Sequence, residues 1–178
     1  MVGAVKIILF SDNHRDAVAV DRILLLNRDG DRFISLGDSE MREHELSARN
    51  VYGVRGNYPF EPDFPYELTT VFAGWKTFLT HGHRYFVKNG LALLAERAGA
   101  EACNIVCFGH THQPYLAERE GVIFLNPGSA ATPRSGGVPT YATIDATEDE
   151  VRIAILDLDR NVPLHTLRRR RSAASPWR

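Results

Sequence analysis

The sequence predicts an α/β protein in which two mixed β-sheets pack together and helices cover their outer faces. Three observations lead to this prediction. Apolar runs alternate with amphipathic segments in the first half, and short strand-like runs dominate the second half. The chain also has 178 residues, 44% of them hydrophobic, which can form one good core but hardly two. We therefore expect a single domain over residues 1–160, followed by an Arg-rich tail over 161–178.

The first half alternates strands and helices. Ala4–Phe10 is almost wholly apolar, as expected of a central strand covered on both faces. Apolar residues at helical spacing predict a helix over Asp16–Asn27, and a second strand follows over Arg32–Leu36. A polar stretch over 40–49 predicts a helix, and 50–54 predicts a third strand. Polar residues follow each strand, at the sheet edge where ligands bind in open parallel sheets.

The second half contains more of the predicted strands than the first. A hairpin is expected from 66–72 and 76–80 around the turn at 73–75, and a helix from 89–99. Five further strands are predicted over 104–108, 115–117, 122–125, 139–145 and 150–158. We expect these later strands to form a second, mixed or antiparallel sheet that packs on the first.

Composition excludes some classes of function. A net charge of −1 and a pI near 6.7 argue against a protein that coats nucleic acid or lies on an anionic membrane. No membrane span or secretion signal is visible, and Cys103 and Cys107 are expected to be reduced, buried thiols, so the protein is predicted to be cytoplasmic. The Arg168–Arg171 run predicts a solvated tail, with a nucleic-acid or partner contact as the alternative.

Five short segments contain residue types that bind hard or borderline metals. Asp and Asn supply oxygen and His supplies nitrogen, a mixture that suits Mn²⁺, Fe, Ni²⁺ or Zn²⁺ better than an all-oxygen Mg²⁺ or Ca²⁺ site. Each segment alone is a weak signal, because a helix cap or a turn explains it equally well. The segments are 11–14, 37–38, 56–57, 81–83 and 109–112.

Histidine spacing strengthens the metal hypothesis. Four of the seven histidines fall in two His-x-His pairs, His81 with His83 and His110 with His112, each directly after a predicted strand or one residue later. In an extended segment, residues two apart point to the same side. We therefore expect His110 and His112 to reach one cavity, and Asp12 and His14 to chelate one ion.

Taken in order, the motifs resemble those of the small calcineurin-like metallophosphoesterases, in their compact bacterial and archaeal branch. The resemblance covers nearly the whole chain. It implies a four-layer αββα sandwich with two divalent transition-metal ions at the carboxyl ends of the strands, Mn²⁺ first and Ni, Fe or Zn as alternatives. The matching motifs are Ser11-Asp12-Asn13-His14, Gly37-Asp38-Ser39-Glu40, Arg55-Gly56-Asn57, Asp63-Phe64-Pro65, Thr80-His81-Gly82-His83, Gly109-His110-Thr111-His112 and Asn126-Pro127-Gly128-Ser129.

The resemblance also implies roles for individual residues and a reaction. A hydroxide shared by both ions would attack a phosphate ester in line with the leaving oxygen. The ligand sets would be Asp12, His14 and His112 for one ion, Asn57, His81 and His110 for the other, and Asp38 between them. Asp38 and Asn57 would thus be catalytic as well as metal-binding.

The chain departs from the broader superfamily at the residue after Asn57. Many relatives have a His there, thought to protonate the leaving group, whereas this chain has Tyr58. We therefore expect modest turnover and a preference for good leaving groups such as aryl phosphodiesters, with Tyr58 or His83 as weak substitutes. A surface role for His83 stays open.

The expected partner is a small phosphate-ester substrate, whose identity the sequence leaves open, and a homo-oligomer is also left open. The alternative function is a noncatalytic, metal-binding interaction scaffold on the same fold.

Overall fold

The computed structural model describes residues 3–61 and 63–171. Two single-turn 3₁₀ helices, His83–Tyr85 and Val87–Asn89, precede the third helix. The remaining elements are β1 (Val5–Phe10), α1 (Ala17–Leu26), β2 (Arg32–Ser35), α2 (Glu43–Ser47), β3 (Val51–Gly53), β4 (Glu67–Phe72), β5 (Trp75–Thr80), α3 (Ala92–Ala100), β6 (Ile105–Cys107), β7 (Pro114–Arg119), β8 (Val122–Pro127), β9 (Thr140–Ala146), β10 (Glu150–Asp157) and β11 (Val162–Arg170).

The strands form two mixed sheets, as the sequence predicts. The first has the order β11-β10-β9-β1-β2-β3, with β1, β2 and β3 parallel and the other pairs antiparallel. The second has the order β4-β5-β6-β8-β7, with β5, β6 and β8 parallel. The expectation that all later strands form the second sheet was wrong, because β9 and β10 extend the first sheet from the free side of β1. Local alternation marks a strand but does not say which neighbour it pairs with.

Alternating side chains on the strands build four layers. Ile7 and Leu9 of β1 point into the core between the sheets, whereas Ile8 and Phe10 pack on the outer side with α1 and α2. In the second sheet, Phe124 points outward into a separate cluster with residues of α3. The predicted αββα sandwich is therefore confirmed, and both strand faces are buried because each sheet lies between a helical layer and the other sheet.

Helix α1 begins where the sequence predicts. The Asp16 carboxylate accepts a hydrogen bond from the Ala19 amide at 2.9 Å, which satisfies a free N–H of the first turn. Helix α2 is shorter than the predicted 40–49, because residues before Glu43 belong to a loop at the candidate site.

The predicted C-terminal tail is wrong for residues up to 170, which form β11. Arg168 and Arg170 point outward to Glu150, with Nε to Oε2 distances of 2.7 and 3.0 Å. On the other face, Arg169 and Arg171 lie over the Trp75 ring at 5.6 and 4.7 Å. Most of β11 is exposed and only Leu167 and Arg169 are partly buried, so the strand leaves little hydrophobicity pattern to read. Residues 172–178 of the predicted tail lie outside the described residues.

Both cysteines are buried free thiols, as expected. Within residues 3–61 and 63–171, no helix combines the length and the apolar character needed to cross a membrane.

Candidate metal centre

Four loops bring polar residues to one edge of the sandwich. Asp12 follows β1, Asp38 follows β2, His81 follows β5 and His110 follows β6. Because β1 and β2 are parallel and β5 and β6 are parallel, the loops after them leave their sheets at the same edge. Backbone hydrogen bonds tie neighbouring loops together, from the Asp12 amide to the Gly37 carbonyl and from the Gly109 amide to the His81 carbonyl, both at 3.0 Å.

The loops assemble two groups of potential metal ligands. In each group, one atom from every side chain lies within 4.8 Å of the others. The two groups adjoin, because the His81 Nε2 atom of one is 3.9 Å from the Asp12 Oδ1 atom of the other. Their members are Asp12, His14 and His112 in one group, and Asp38, His81 and His110 in the other.

Three of the imidazoles are oriented through Nδ1. The Nδ1 atom lies 2.7 Å from the Glu40 carboxylate in His14, 2.7 Å from the Leu36 carbonyl in His81, and 2.8 Å from the Thr132 carbonyl in His112. An oxygen acceptor at Nδ1 favours the tautomer that carries its proton there. The Nε2 atom then faces the group, where a metal ion would bind it in place of a proton.

Each aspartate uses one oxygen for the protein and presents the other to the centre. The Asp38 Oδ1 atom accepts hydrogen bonds from the amides of Asn57 and Tyr58 at 2.8 and 3.0 Å. The Asp12 Oδ2 atom accepts from the Ser11 hydroxyl at 2.6 Å and from the His110 amide at 3.1 Å. The second oxygen of each aspartate faces a histidine Nε2 atom, at 3.3 Å between Asp12 and His112 and at 3.4 Å between Asp38 and His81, so one cation could bind both partners.

The residues present fit a pair of metal ions. In the described part of the chain, Asp12 Oδ1 and His81 Nε2 are buried without a hydrogen-bond partner. Leaving a buried polar atom unsatisfied costs about 1–3 kcal/mol. A carboxylate oxygen and an imidazole nitrogen are both ligands of divalent transition metals, so a bound cation would satisfy both.

Comparison with known proteins identifies the family. A family model described as the calcineurin-like phosphoesterase superfamily domain matches residues 5–149. The chain belongs to this family. It is 28% identical over 153 residues to "Probable metallophosphoesterase YsnB" of Bacillus subtilis, covering 85% of this chain and 90% of that one. It is 31% identical over 106 residues to "Phosphodiesterase YfcE" of Escherichia coli, covering 55% of this chain and 54% of that one.

Solved structures of the same fold agree. A conserved uncharacterized protein from Streptococcus pneumoniae TIGR4, described as a predicted phosphoesterase, superposes with a TM-score of 0.84 at 27% identity, covering 96% of this chain and all of that one. Vacuolar Protein Sorting 29 from Cryptosporidium parvum superposes with a TM-score of 0.77 at 21% identity, covering 94% and 99%, and shows likeness of fold alone.

The ligand loops of this phosphoesterase are not extended, contrary to the sequence expectation. Asp12 and His14 have φ values of 52° and 42°, and His110 and His112 have 67° and 59°. Non-glycine residues in this left-handed region cost on the order of 1–3 kcal/mol each and gather at functional sites. The backbone turns so sharply that His110 and His112 join different ligand groups.

Charges at the phosphoesterase centre support each other. Burial opposes ionisation of Asp38, but the hydrogen bond and charge of His81, with two backbone amides, lower its pKa. Burial likewise lowers the pKa of His81, yet Asp38 and Asp12 outweigh it and raise this pKa overall. Burial and the nearby His81 lower the pKa of His110 to about 4. His110 is therefore neutral, as a ligand must be, near pH 7.

The remaining predicted site residues lie beside the two groups. Asn57 is exposed and touches Asp38 through its backbone amide. The Tyr58 ring packs edge-on against Phe60 with 5.8 Å between ring centroids. The His83 ring lies 5.4 Å from the His81 ring, and burial lowers its pKa.

Sequence reasoning assigned no role to two glutamates that support the centre. The Glu40 carboxylate contacts His14 Nδ1, and Glu40 is the last residue of the motif Gly37-Asp38-Ser39-Glu40. Glu61 is 8% exposed and accepts hydrogen bonds from the amides of Glu40 and Gly56 at 2.8 and 3.2 Å. Burial raises the pKa of Glu61. No local pattern marks Glu61, because its partners are set by how two distant loops meet.

Motif glycines leave room for neighbouring protein atoms. A Cβ atom on Gly56 would lie 2.1 Å from Asp38 Oδ1, and one on Gly109 would lie 2.0 Å from the Ser11 hydroxyl oxygen. The space beside Gly109 is therefore filled by the Ser11 side chain, and a larger residue at this position would displace it. Asn126 of the last matching motif supports this loop, because its side-chain amide donates a hydrogen bond to the Gly109 carbonyl at 2.9 Å.

Proposed function

We propose that this protein is a phosphodiesterase that uses two divalent transition-metal ions to hydrolyse a small phosphate ester. Mn²⁺ is the first choice, with Ni, Fe and Zn as alternatives. The observation that carries the proposal is the pair of adjoining ligand groups, linked by the 3.9 Å separation of Asp12 Oδ1 and His81 Nε2. When bound, such a pair of ions acidifies water and stabilises charge on the phosphate.

The ligand roles follow from which atoms the protein leaves free. Backbone amides hold Asp38 Oδ1, so Asp38 would hold metal through its other oxygen, Oδ2, which lies 3.4 Å from His81 Nε2. The proposed ligand sets are Asp12, His14 and His112 for one ion, His81, His110 and Asn57 for the other, and Asp38 between them.

The residues near the centre favour substrates with good leaving groups. A lowered pKa keeps His83 neutral near pH 7, so its imidazole is a poor proton donor to a leaving oxygen. The Tyr58 ring is held against Phe60. An aryl phosphodiester releases a stable phenolate and needs little protonation, and the name of the relative YfcE also supports diester chemistry.

The test uses metal-stripped protein, Mn²⁺ and bis(p-nitrophenyl) phosphate. We expect hydrolysis that requires the metal and falls at least about 100-fold in Asp38→Asn and His110→Ala, because each loses a ligand of the centre. His165→Ala, an exposed histidine on β11, is the matched control and should retain full activity. Metal-independent hydrolysis, or equal activity in all variants, would contradict the proposal.

The noncatalytic scaffold is the second candidate, and the likeness in fold to Vacuolar Protein Sorting 29 is what favours it. The enzyme is preferred because the family model that matches residues 5–149 is described as a phosphoesterase domain, and the relatives YsnB and YfcE are named a metallophosphoesterase and a phosphodiesterase. Protein that holds two equivalents of Mn²⁺ yet hydrolyses neither diesters nor monoesters would support the scaffold instead.

A further inference from the structure

A cavity of about 620 Å³ lies beside the candidate metal centre. Its wall includes Thr111, which stands between His110 and His112, together with the 87–91 segment and part of β7. The volume falls within the range of about 300–1,000 Å³ that is typical of small-molecule sites. A group attached to a phosphate at the metal centre could therefore extend into this cavity.

The charged side chains that line the cavity all have the same sign. Three cationic side chains, Lys88, Arg119 and Arg134, line it, and no acidic side chain does so in the described parts of the chain. Within residues 3–61 and 63–171, none of the three forms an ion pair with a carboxylate. Like charges gathered without counter-ions repel one another and create a positive potential that attracts anions.

Two of these cations adjoin the loops that carry the metal ligands. Lys88 follows Val87, whose amide lies 3.5 Å from the carbonyl of Gly82, the residue after His81. The Arg134 amide lies 3.5 Å from the His112 carbonyl. Positive charge therefore continues from the edge of the metal centre into the cavity.

The remaining side chains of the cavity wall could pack against an aromatic ring of the substrate. Leu91, Phe108 and Tyr115 contribute apolar surface, and the Arg119 guanidinium lies over the Tyr115 ring at 5.5 Å. The Tyr115 hydroxyl is buried and makes no hydrogen bond within the described chain. Aromatic and arginine planes stack on nucleobases, and a free hydroxyl can donate to an anion.

We propose that this cavity is a subsite for a second anionic group of the substrate, and that the substrate is a nucleotide-like phosphodiester with a further phosphate on one arm. This inference rests on the proposed phosphodiesterase function. An aryl diester has a single negative charge, which the metal centre would hold, and leaves Lys88, Arg119 and Arg134 without a ligand. A second phosphate gives these cations a partner, with charge-assisted hydrogen bonds to each.

Binding gives the first test. Mn²⁺-loaded protein is titrated calorimetrically with thymidine 3′,5′-bisphosphate and with thymidine 5′-monophosphate. We expect the bisphosphate to bind at least about tenfold more tightly, and this advantage to fall by about tenfold in Arg119→Gln and in Lys88→Gln. Arg28→Gln removes an exposed arginine just after α1, outside the cavity lining, and should keep the full advantage.

Kinetics gives the second test. The dinucleotides TpT and pTpT differ only in a terminal phosphate, so the ratio of their kcat/KM values reports on the subsite. We expect pTpT to be favoured in the wild type and in Arg28→Gln, with the ratio reduced about tenfold in Arg119→Gln. Thermal unfolding checks that each variant is folded.

The outcomes separate the subsite from the proposed function. Equal binding of the two thymidine phosphates, or equal loss of the advantage in Arg28→Gln, would overturn the subsite. Hydrolysis of bis(p-nitrophenyl) phosphate without a preference for pTpT would also overturn it and leave the phosphodiesterase intact. An Arg119-dependent binding advantage in protein that hydrolyses no ester would support the subsite and overturn the enzyme.

Discussion

The metal-ligand edge and the β10–β11 hairpin use charged side chains in opposite ways. At the edge, Asp12 Oδ1 and His81 Nε2 are buried without hydrogen-bond partners in the described chain, on loops with left-handed residues. On the hairpin, the exposed arginines Arg152, Arg168 and Arg170 all pair with Glu150. Paired, exposed charges support the fold, whereas buried charges with free atoms indicate a ligand. The predictions below test this difference.

The largest expected effect is on metal binding by Asp12→Asn. Wild-type protein should gain several degrees in Tm with excess Mn²⁺, since a ligand that binds only the folded state stabilises it by mass action. The variant loses a charged ligand at the buried edge and should gain little. A thermal shift assay measures this. An equal gain in both proteins would show that the stabilising ion binds elsewhere.

Gly56→Ala should disturb the centre almost as strongly. The new Cβ would meet Asp38 Oδ1 at 2.1 Å, so Asp38 or the loop must move. We expect Mn²⁺-dependent hydrolysis to fall about 100-fold, because a displacement of about 1 Å can cost that much. Gly99→Ala is the matched control, since nothing lies within 4 Å of its Cβ and it sits in α3. It should keep full activity, and Ala in a helix should add about 0.5–1 kcal/mol of stability. Full activity in Gly56→Ala would contradict the close packing of this loop.

Glu40→Ala should weaken metal binding by about 10–100-fold, as expected for a residue that orients a ligand. The Glu40 carboxylate lies 2.7 Å from His14 Nδ1, and without it the ring loses its preferred tautomer and direction. Glu40→Gln keeps an oxygen acceptor and should lose less. Mn²⁺ affinity measured for both variants separates orientation from charge. A Gln variant as weak as the Ala variant would show that the charge is what matters.

The smallest expected effect is on the hairpin. The hydrogen bond from Arg168, with those from Arg170 and Arg152, lowers the pKa of Glu150 from 4.5 to about 2. The ionised group therefore stabilises the fold fully above pH 4.5, and this contribution is lost as pH falls through about 2. Wild type should have a higher Tm than Glu150→Gln at pH 7, and the gap should close near pH 2. Wild type and Glu150→Gln should bind Mn²⁺ with the same affinity. A difference in affinity would show that the hairpin charges also affect the metal-ligand edge.

The sequence predicted the layers of the fold but not all of the pairing. A nearly continuous apolar run located β1, because a strand that is buried on both faces has apolar residues at successive positions. It missed β11, because this strand is largely exposed and its sequence has no apolar alternation to mark it. It also put β9 in the wrong sheet, since strand pairing depends on contacts between distant segments.

At the candidate site, the types and the order of the residues predicted the metal ligands, but the conformation of the loops that carry them could not be predicted. The ordered motifs led to the family and to the residues that the structure gathers into two groups. The left-handed turns at Asp12 and His110 could not be read from residue type, because most left-handed turns use glycine. The sequence also showed no sign of the role of Glu61 or of the cationic cavity. Their contacts form between segments that are distant in sequence and meet only in the folded chain.

The most direct test of the central claim is anomalous diffraction at the manganese edge from crystals of the protein grown with excess Mn²⁺. We expect two adjacent peaks, one among Asp12, His14 and His112 and one among Asp38, His81 and His110, with Asp38 between them. A single ion, or ions bound away from these side chains, would contradict it.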